Sequence, residues 1–154
     1  MSIEIERKFL VKKELLPAAD SEIAMVQAYL LTDPERTIRV RIAENLAYLT
    51  IKGKMVGFSR PEYEYEIPLQ DAREMLKLAV HPPVEKVRHH IFVDGKKWEV
   101  DFFEGANRGL ILAELELGDE NEFFQLPPWV DQEVTGEIQY YNSYLAKHPF
   151  SGWK

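Results

Sequence analysis

The chain of 154 residues is 45% hydrophobic, contains no cysteine and has a formal net charge of −7 at pH 7. This size and composition predict a single domain over residues 1–154, with its own apolar core, and argue against intrinsic disorder. The absence of thiols excludes disulfides and cysteine-ligated zinc, and the acidic balance argues against a protein that grips long nucleic acid.

The hydrophobic pattern predicts about eight β-strands joined by short turns. Val, Ile, Tyr, Phe and Thr are frequent in them, and polar and apolar residues often alternate. The predicted strands span residues 2–11, 22–32, 36–44, 46–54, 58–67, 84–93, 97–104 and 109–117. Asp94-Gly95 is the clearest hairpin turn, and hairpins join antiparallel strands. The sequence therefore predicts a mostly β (α+β) fold built on an antiparallel sheet.

A helical pattern occurs in segments between and after the strands. These segments cover residues 69–79, 119–126 and 136–147. Asp119 and Thr135 are suitable N-cap residues for the second and third segments, and prolines follow both. We expect these helices to flank the sheet, the last of them as a C-terminal helix.

Charged and apolar side chains occupy opposite faces of the predicted strands. Alternate residues of a strand share a face, so Glu4, Glu6 and Lys8 of the first strand lie together, opposite Ile5 and Phe9. Most later strands repeat the arrangement, each nearly pure in the sign of its charge. Their charged residues are Arg39 and Arg41, Lys52 and Lys54, Glu62, Glu64 and Glu66, Lys86 and Arg88, Glu99 and Asp101, and Glu114 and Glu116.

Two interpretations fit this pattern. A half-exposed antiparallel sheet is ordinarily charged on its solvent side. However, like charges two residues apart, roughly 7 Å along a strand, repel each other, and a sequence tolerates them when counter-charges sit among them. If the strands close into a barrel, the charged faces would line a hydrated bore, with cations on the carboxylate strands and an anion on the Lys/Arg strands. Oxygen ligands favour Mg²⁺ or Mn²⁺.

The ordered set of motifs resembles the CYTH superfamily, also called triphosphate tunnel metalloenzymes. The family's Glu-x-Glu-x-Lys signature is matched by Glu4, Glu6 and Lys8. Further matches, in the family's order, are Arg39-Val40-Arg41, Thr50-Ile51-Lys52, Ser59-Arg60 before Glu62 and Glu64, Lys86-Val87-Arg88, Val100-Asp101, Glu114-Leu115-Glu116, and a tail that runs from Glu133 to Asn142. The resemblance implies an eight-stranded antiparallel β-barrel, or tunnel, that holds a linear triphosphate and divalent metal.

The resemblance also implies roles for the charged residues. The implied metal ligands are Glu4, Glu6, Glu114 and Glu116, supported by Glu62, Glu64 and Asp101, and the implied phosphate-binding residues are Lys8, Arg39, Arg41, Lys52, Lys86 and Arg88. Tyr29 matches a tyrosine that some bacterial members are proposed to use with a lysine of the sixth strand, here Lys86. We hypothesise that Lys86, with its pKa lowered by neighbouring cations and with help from Tyr29, accepts the proton of the attacking water. Gln139 departs from the family, because a basic residue is common there, which argues against substrate contact by the last helix.

The first functional hypothesis is Mg²⁺-dependent hydrolysis of inorganic tripolyphosphate to pyrophosphate and phosphate. Connections are short, so no inserted segment would form a pocket for a nucleotide base. Class IV adenylate cyclase and thiamine triphosphatase are alternatives within the family, and a non-catalytic polyphosphate- or nucleotide-binding module is an alternative of another class.

Apolar outer strand faces are compatible with a homodimer. Charge begins at Glu4 and no run approaches the roughly 20 apolar residues of a membrane span, so we expect a cytoplasmic protein without membrane or nucleic-acid partners.

Overall fold

The computed structural model describes residues 2–153, and strands dominate it. The strands are β1 (Ile3–Val11), β2 (Ser21–Asp33), β3 (Arg36–Ala43), β4 (Leu46–Gly53), β5 (Ser59–Ile67), β6 (Val84–Val93), β7 (Lys96–Phe103), β8 (Ile111–Glu116) and β9 (Val130–Glu133). The α-helices are α1 (Leu69–Met75) and α2 (Asn142–Lys147), and 3₁₀ turns cover Lys13–Leu15, Leu76–Leu78, Gly105–Asn107, Ile138–Tyr140 and Phe150–Gly152. The first eight strands confirm the predicted ones, with ends that differ by about two residues or fewer.

β1 to β8 form a closed antiparallel barrel. Neighbouring strands follow the order β5-β4-β3-β2-β6-β7-β8-β1, and β1 returns to β5 to complete the ring. The two halves of β1 have different partners: residues 3–5 pair with β5, and residues 6–10 pair with β8. The predicted eight-stranded antiparallel barrel is confirmed, and closure leaves each strand paired along both edges over part of its length.

β9 was not predicted from the sequence. It pairs with the end of β1, where Phe9 lies opposite Glu133 and Val11 lies opposite Val130. The strand is four residues long and carries Asp and Gln in its middle, so it shows no alternating pattern. Its pairing with β1 depends on a partner more than a hundred residues away in the sequence, which no local pattern reports.

Most of the apolar core lies outside the barrel wall, between the strands and the segments that cover them. Phe9 and Trp98 pack with Trp129, and the two indole rings meet edge to face with 5.3 Å between their centroids. α1 covers another part of the wall, where Ala72 packs against Val40 of β3. Because the apolar faces are buried on the outside, the charged faces are left to line the interior.

At one end, the interior of the barrel also becomes apolar. Val84 lies two residues before Lys86 in β6, and Leu112 lies two residues before Glu114 in β8, so each pair shares the inner face. Val84 and Leu112 are buried in one cluster with Leu145 of α2. The C-terminal segment therefore packs against an apolar end of the barrel, next to its charged interior.

The first predicted helix is confirmed, because α1 and the 3₁₀ turn after it cover residues 69–78. The second prediction, residues 119–126, is wrong: the segment is a turn followed by irregular chain. Asp119 accepts a hydrogen bond from the backbone of Asn121 at 2.8 Å, and the Glu122 carboxylate accepts one from Gly118 at 2.7 Å. These side chains bond to the local backbone in place of a helical turn, as short polar residues often do at turns.

The third predicted helix, residues 136–147, is confirmed only in its second half, where α2 begins at Asn142. Thr135 does not cap it. The Thr135 hydroxyl instead accepts a hydrogen bond from the backbone N–H of Lys8 at 2.9 Å and donates one to Glu133 at 2.6 Å. Thr135 thus attaches the chain after β9 to β1. No helix among residues 2–153 is long and apolar enough to cross a bilayer.

Candidate functional site

The inward-facing charged side chains surround a cavity of about 170 Å³ inside the barrel. The structure brings these predicted residues together in its lining: Glu4, Glu6, Lys8, Tyr29, Arg39, Arg41, Lys52, Glu62, Glu64, Lys86, Arg88, Glu114 and Glu116. Asp101 is buried behind this lining, where it bonds to Lys86 and Arg88. For these residues the barrel interior is therefore the correct interpretation, whereas Lys54 and Glu66 of the same strand faces are exposed and do not line the cavity.

Arg88 is the most strongly paired cation of the cavity. Its guanidinium makes a forked contact with Asp101, at 2.8 and 2.9 Å, and further bonds of 3.1 Å to Glu99 and Glu114. Burial opposes the charge, but these carboxylates raise the pKa of Arg88 well above its usual range. The charge of Arg88 is therefore already neutralised by protein carboxylates. Its side chain connects β6 to β7 and β8 through these bonds.

Arg39 and Arg41 are much less compensated. Arg39 donates to Thr50 at 3.2 Å and to Glu64 at 3.4 Å, while its buried Nε has no hydrogen-bond partner in the part of the chain that the structure describes. Within residues 2–153, Arg41 makes no ion pair with a carboxylate, and its Nε donates to Gln27 at 2.9 Å. Burial and the nearby arginines lower the pKa of Arg41 to about 10. A buried donor without an acceptor costs roughly 1–3 kcal/mol, and Arg39 Nε is such a donor. Together with the charge of Arg41, which no carboxylate pairs within residues 2–153, it favours an anion inside the barrel.

Lys86 is the most deeply buried cation of the cavity, at 2% exposure. Its Nζ lies 2.7 Å from Asp101 Oδ2 and donates to Asn142 Oδ1 at 2.9 Å. Burial lowers the pKa of Lys86 to about 7, with Arg88 and Arg41 adding to the effect and Asp101 opposing it. The sequence hypothesis named the neighbouring cations as the cause, whereas burial is the larger one.

Tyr29 lies in the wall of the same cavity. It is 5% exposed, lines the cavity and packs in the apolar cluster of Val84 and Leu112. No hydrogen bond joins its hydroxyl to Lys86 among the described residues. Any joint action of the two side chains therefore needs a bridging substrate or water.

The carboxylates differ sharply in how they are balanced. Glu4 pairs with Lys52 at 2.9 Å and with Arg60 at 3.4 Å, and these cations overcome burial to lower the pKa of Glu4 to about 2. Glu6 has no such partner within residues 2–153, and burial together with Glu114 and Glu4 raises the pKa of Glu6 well above its usual range. The negative charge of Glu114 and Glu4 is therefore in excess around Glu6, which resists ionisation there.

This excess suits a hard divalent cation. Glu6 lies opposite Glu116 across β1 and β8, and Glu4 and Glu114 contribute to its raised pKa, so the available ligands are all oxygen atoms. No three acidic or histidine side chains among residues 2–153 form a preformed metal site, because Glu4 and Glu114 are turned towards Lys52, Lys8 and Arg88. A cation would relieve the repulsion at Glu6 and would draw these carboxylates from their present partners.

The cavity lining also includes residues to which the sequence analysis gave no role: Thr37, Thr50, Arg60, Glu99, Tyr141, Asn142 and Ser143. Thr50 and Arg60 lie two residues from Lys52 and Glu62, so strict period-two counting would have found them. The C-terminal residues follow no strand, and local periodicity could not place them. Gln139 is exposed, but Asn142, three residues later, lines the cavity. The C-terminal segment therefore contributes to the site although position 139 lacks the basic residue that is common in the family.

Comparison with known proteins adds an independent observation. A family model described as the CYTH domain matches residues 2–147. An inorganic triphosphatase of Acetivibrio thermocellus is 43% identical over 155 residues, which cover 100% of this chain and 99% of that protein. An inorganic triphosphatase of Nitrosomonas europaea is 33% identical, with 93% of this chain and 96% of that protein covered. A solved structure of an inorganic triphosphatase matches with a TM-score of 0.67 at 33% identity, and covers 93% of this chain and 97% of that one.

Proposed function

The chain belongs to the CYTH domain family, and from that premise we propose that it hydrolyses inorganic tripolyphosphate to pyrophosphate and phosphate with Mg²⁺ as the metal. Relatives that match nearly its whole length are inorganic triphosphatases. Their identity to this chain and the shared fold support the same reaction class here. Mn²⁺ is the nearest substitute for Mg²⁺, because both prefer oxygen ligands.

The observation that carries the proposal is a pair of cavity arginines whose charge the protein's own carboxylates balance incompletely. Arg39 keeps an unsatisfied Nε, and Arg41 lacks a carboxylate partner among the described residues. Guanidinium groups make forked bonds to phosphate oxygens, and a narrow charged cavity suits a linear polyanion better than a bulky organic group. The cavity of about 170 Å³ is lined mainly by charged and polar side chains, which supports a small inorganic substrate.

The proposed metal ligands are Glu4, Glu6, Glu114 and Glu116, with Glu62 and Glu64 nearby on β5. Asp101 is the least suitable of the predicted ligands, because Lys86 and Arg88 already occupy its carboxylate. When bound, the divalent cation neutralises phosphate charge and polarises the bond to be cut.

The chain's own residues would position the substrate and move one proton. Arg39 and Arg41 hold phosphate oxygens, with Lys8 and Lys52 as further cations. Lys86 in its neutral form accepts a proton from water as the water oxygen bonds to a terminal phosphorus and the P–O bond to the bridging oxygen breaks. A neutral base near pH 7 requires a lowered pKa, which burial supplies at Lys86.

The test is incubation of the purified chain with tripolyphosphate, ATP or thiamine triphosphate, each with and without Mg²⁺. We expect phosphate and pyrophosphate from tripolyphosphate, and only with the metal. Cyclic AMP from ATP would instead indicate an adenylate cyclase, turnover of thiamine triphosphate alone would indicate a thiamine triphosphatase, and tight binding without product would indicate a binding module. Lys54→Ala is a suitable control variant, because this lysine is 66% exposed and does not line the cavity.

A further inference from the structure

Two uncharged side chains connect the main cations of the cavity. Gln27 is fully buried in β2, and its Oε1 accepts a hydrogen bond from Arg41 Nε at 2.9 Å. Its Nε2 donates to Asn142 Oδ1 at 2.7 Å, and the same oxygen accepts a bond from Lys86 Nζ at 2.9 Å. The four side chains therefore form one continuous chain of hydrogen bonds, from the guanidinium through two amides to the amine.

The orientation of both amides follows from their neighbours. Arg41 has only donors, so the Gln27 atom that faces it is the oxygen, and the Gln27 nitrogen must face Asn142. The Asn142 atom that meets this nitrogen, and Lys86 as well, must then be the oxygen. A carboxylate at position 27 would break this chain, because it cannot donate to Asn142 and would pair with the charge of Arg41.

We infer that Gln27 and Asn142 form a positioning pair that holds the Arg41 guanidinium and the Lys86 amine in fixed relative positions on the substrate. The inference rests on the proposed function and adds residues to it. Both amides are neutral, so they orient two cations without neutralising either, in contrast to the carboxylates that surround Arg88. The charge of Arg41 therefore remains available for a phosphate oxygen.

The C-terminal segment supplies half of this pair. Asn142 is the first residue of α2, and the neighbouring Tyr140 carbonyl accepts a bond from Lys8 Nζ at 3.1 Å. α2 is anchored separately by Leu145 and Ala146, which are buried in the apolar end of the barrel. Loss of the Asn142 side chain should therefore leave the segment docked while Lys86 keeps its contact with Asp101 but loses the one with Asn142, and Gln27 keeps only its bond from Arg41.

The test is a double-mutant cycle on tripolyphosphate hydrolysis with Mg²⁺. We expect Asn142→Ala to lower kcat about tenfold with KM changed by less than about twofold, because the proton-accepting amine is then held by Asp101 from one side and is less precisely placed. We expect Gln27→Ala to lower kcat/KM about tenfold, and the double variant to lose about tenfold as well, not about a hundredfold, because the two amides act as one unit. Asn121→Ala and Gln70→Ala, at exposed positions, are the matched controls and should leave kcat/KM unchanged.

Shape-conserving variants separate positioning from packing. Gln27→Glu and Asn142→Leu keep a side chain of similar length but remove the donor or the acceptor, so they should lose activity like the alanine variants when assayed at a temperature at which circular dichroism shows each variant folded. Multiplicative losses in the double variant, or unchanged kcat/KM in Gln27→Glu and Asn142→Leu, would overturn the inference. If the unchanged chain shows no turnover at all, the proposed function fails. The same cycle is then measured on tripolyphosphate affinity by calorimetry, where additive losses would overturn the positioning pair on its own.

Discussion

Burial and charge together determine what each side chain of the cavity can do. Arg88 and Lys86 lie two residues apart on one strand, yet their pKa values move in opposite directions. Arg88 pairs with three carboxylates, whereas Lys86 pairs with one within residues 2–153, Asp101, and burial and two nearby guanidinium groups oppose its charge. One face of β6 therefore carries Arg88, which stays charged, and Lys86, which can lose its proton near neutral pH.

Activity should rise with pH across neutrality. With the pKa of Lys86 at about 7, its neutral form increases as pH rises through that value, from roughly a tenth of the molecules one unit below to roughly nine tenths one unit above. We expect kcat on tripolyphosphate to follow this rise and to level off near pH 8. The measurement is the pH profile of kcat at saturating Mg²⁺.

Lys86→Met tests the same assignment without relying on pH. It should lower kcat by roughly 10²–10⁴, the usual range for loss of a proton-transfer group. If turnover stays intact while only tripolyphosphate binding weakens, Lys86 is a phosphate ligand and not the base.

Arg41→Lys should weaken substrate binding although it keeps the charge. Lysine can neither fork onto two phosphate oxygens nor donate to Gln27 through an Nε, so we expect KM for tripolyphosphate to rise about tenfold. Arg108→Lys is the matched control, because Arg108 is 76% exposed and away from the cavity. Equal KM values for Arg41→Lys and the control would contradict a forked contact at Arg41.

At the scale of elements, β1 and α2 assemble the site. β1 supplies Glu4, Glu6 and Lys8 and also closes the barrel through its two halves. α2 lies outside the ring of strands and brings Asn142 to the cavity only because Leu145 is buried against the apolar end of the barrel. The helix has six residues and would not be stable alone, so its position depends on this packing.

Leu145→Ala should therefore cost both stability and activity. Leu145 is fully buried, and removing such a side chain costs about 2–5 kcal/mol of unfolding free energy. Urea unfolding measures this cost, and kcat at a temperature where the variant stays folded measures the release of Asn142. Ile138→Ala, at a residue 64% exposed, should change the unfolding free energy by about 0.5 kcal/mol or less. A stable Leu145→Ala variant with full activity would show that α2 is not held this way.

At the scale of the whole molecule, the barrel concentrates charge that its fold alone does not balance. The chain is acidic overall, with a net charge of −7, yet its interior keeps incompletely paired arginines beside an acidic pocket around Glu6. Both kinds of excess oppose folding of the empty barrel. A bound polyanion and cation would offset both at once, so ligand binding and stability should be coupled.

Tripolyphosphate with Mg²⁺ should raise the melting temperature. At a ligand concentration about 100 times Kd, binding to the folded state alone adds about 2.7 kcal/mol, which corresponds to roughly 5–10 °C for a domain of this size. A catalytically impaired variant such as Lys86→Met is the suitable sample, because it would not consume the ligand. Sodium chloride at equal ionic strength is the control, and an equal shift in salt alone would argue against specific binding in the barrel.

The sequence by itself determined the eight strands, their antiparallel connection, and the sorting of charged and apolar residues onto opposite faces, because these properties depend on turns and on a period of two along each strand. The resemblance carried by the order of its motifs also placed Glu4, Lys8 and Arg41 in one predicted site, and all three line the cavity. Which face became the interior, which cation each carboxylate holds, and how Gln27 and Asn142 enter the site were decided only by the tertiary structure. These features depend on ring closure and on contacts between residues far apart in the chain, such as the 115 positions between Gln27 and Asn142, and local periodicity carries no information about such contacts.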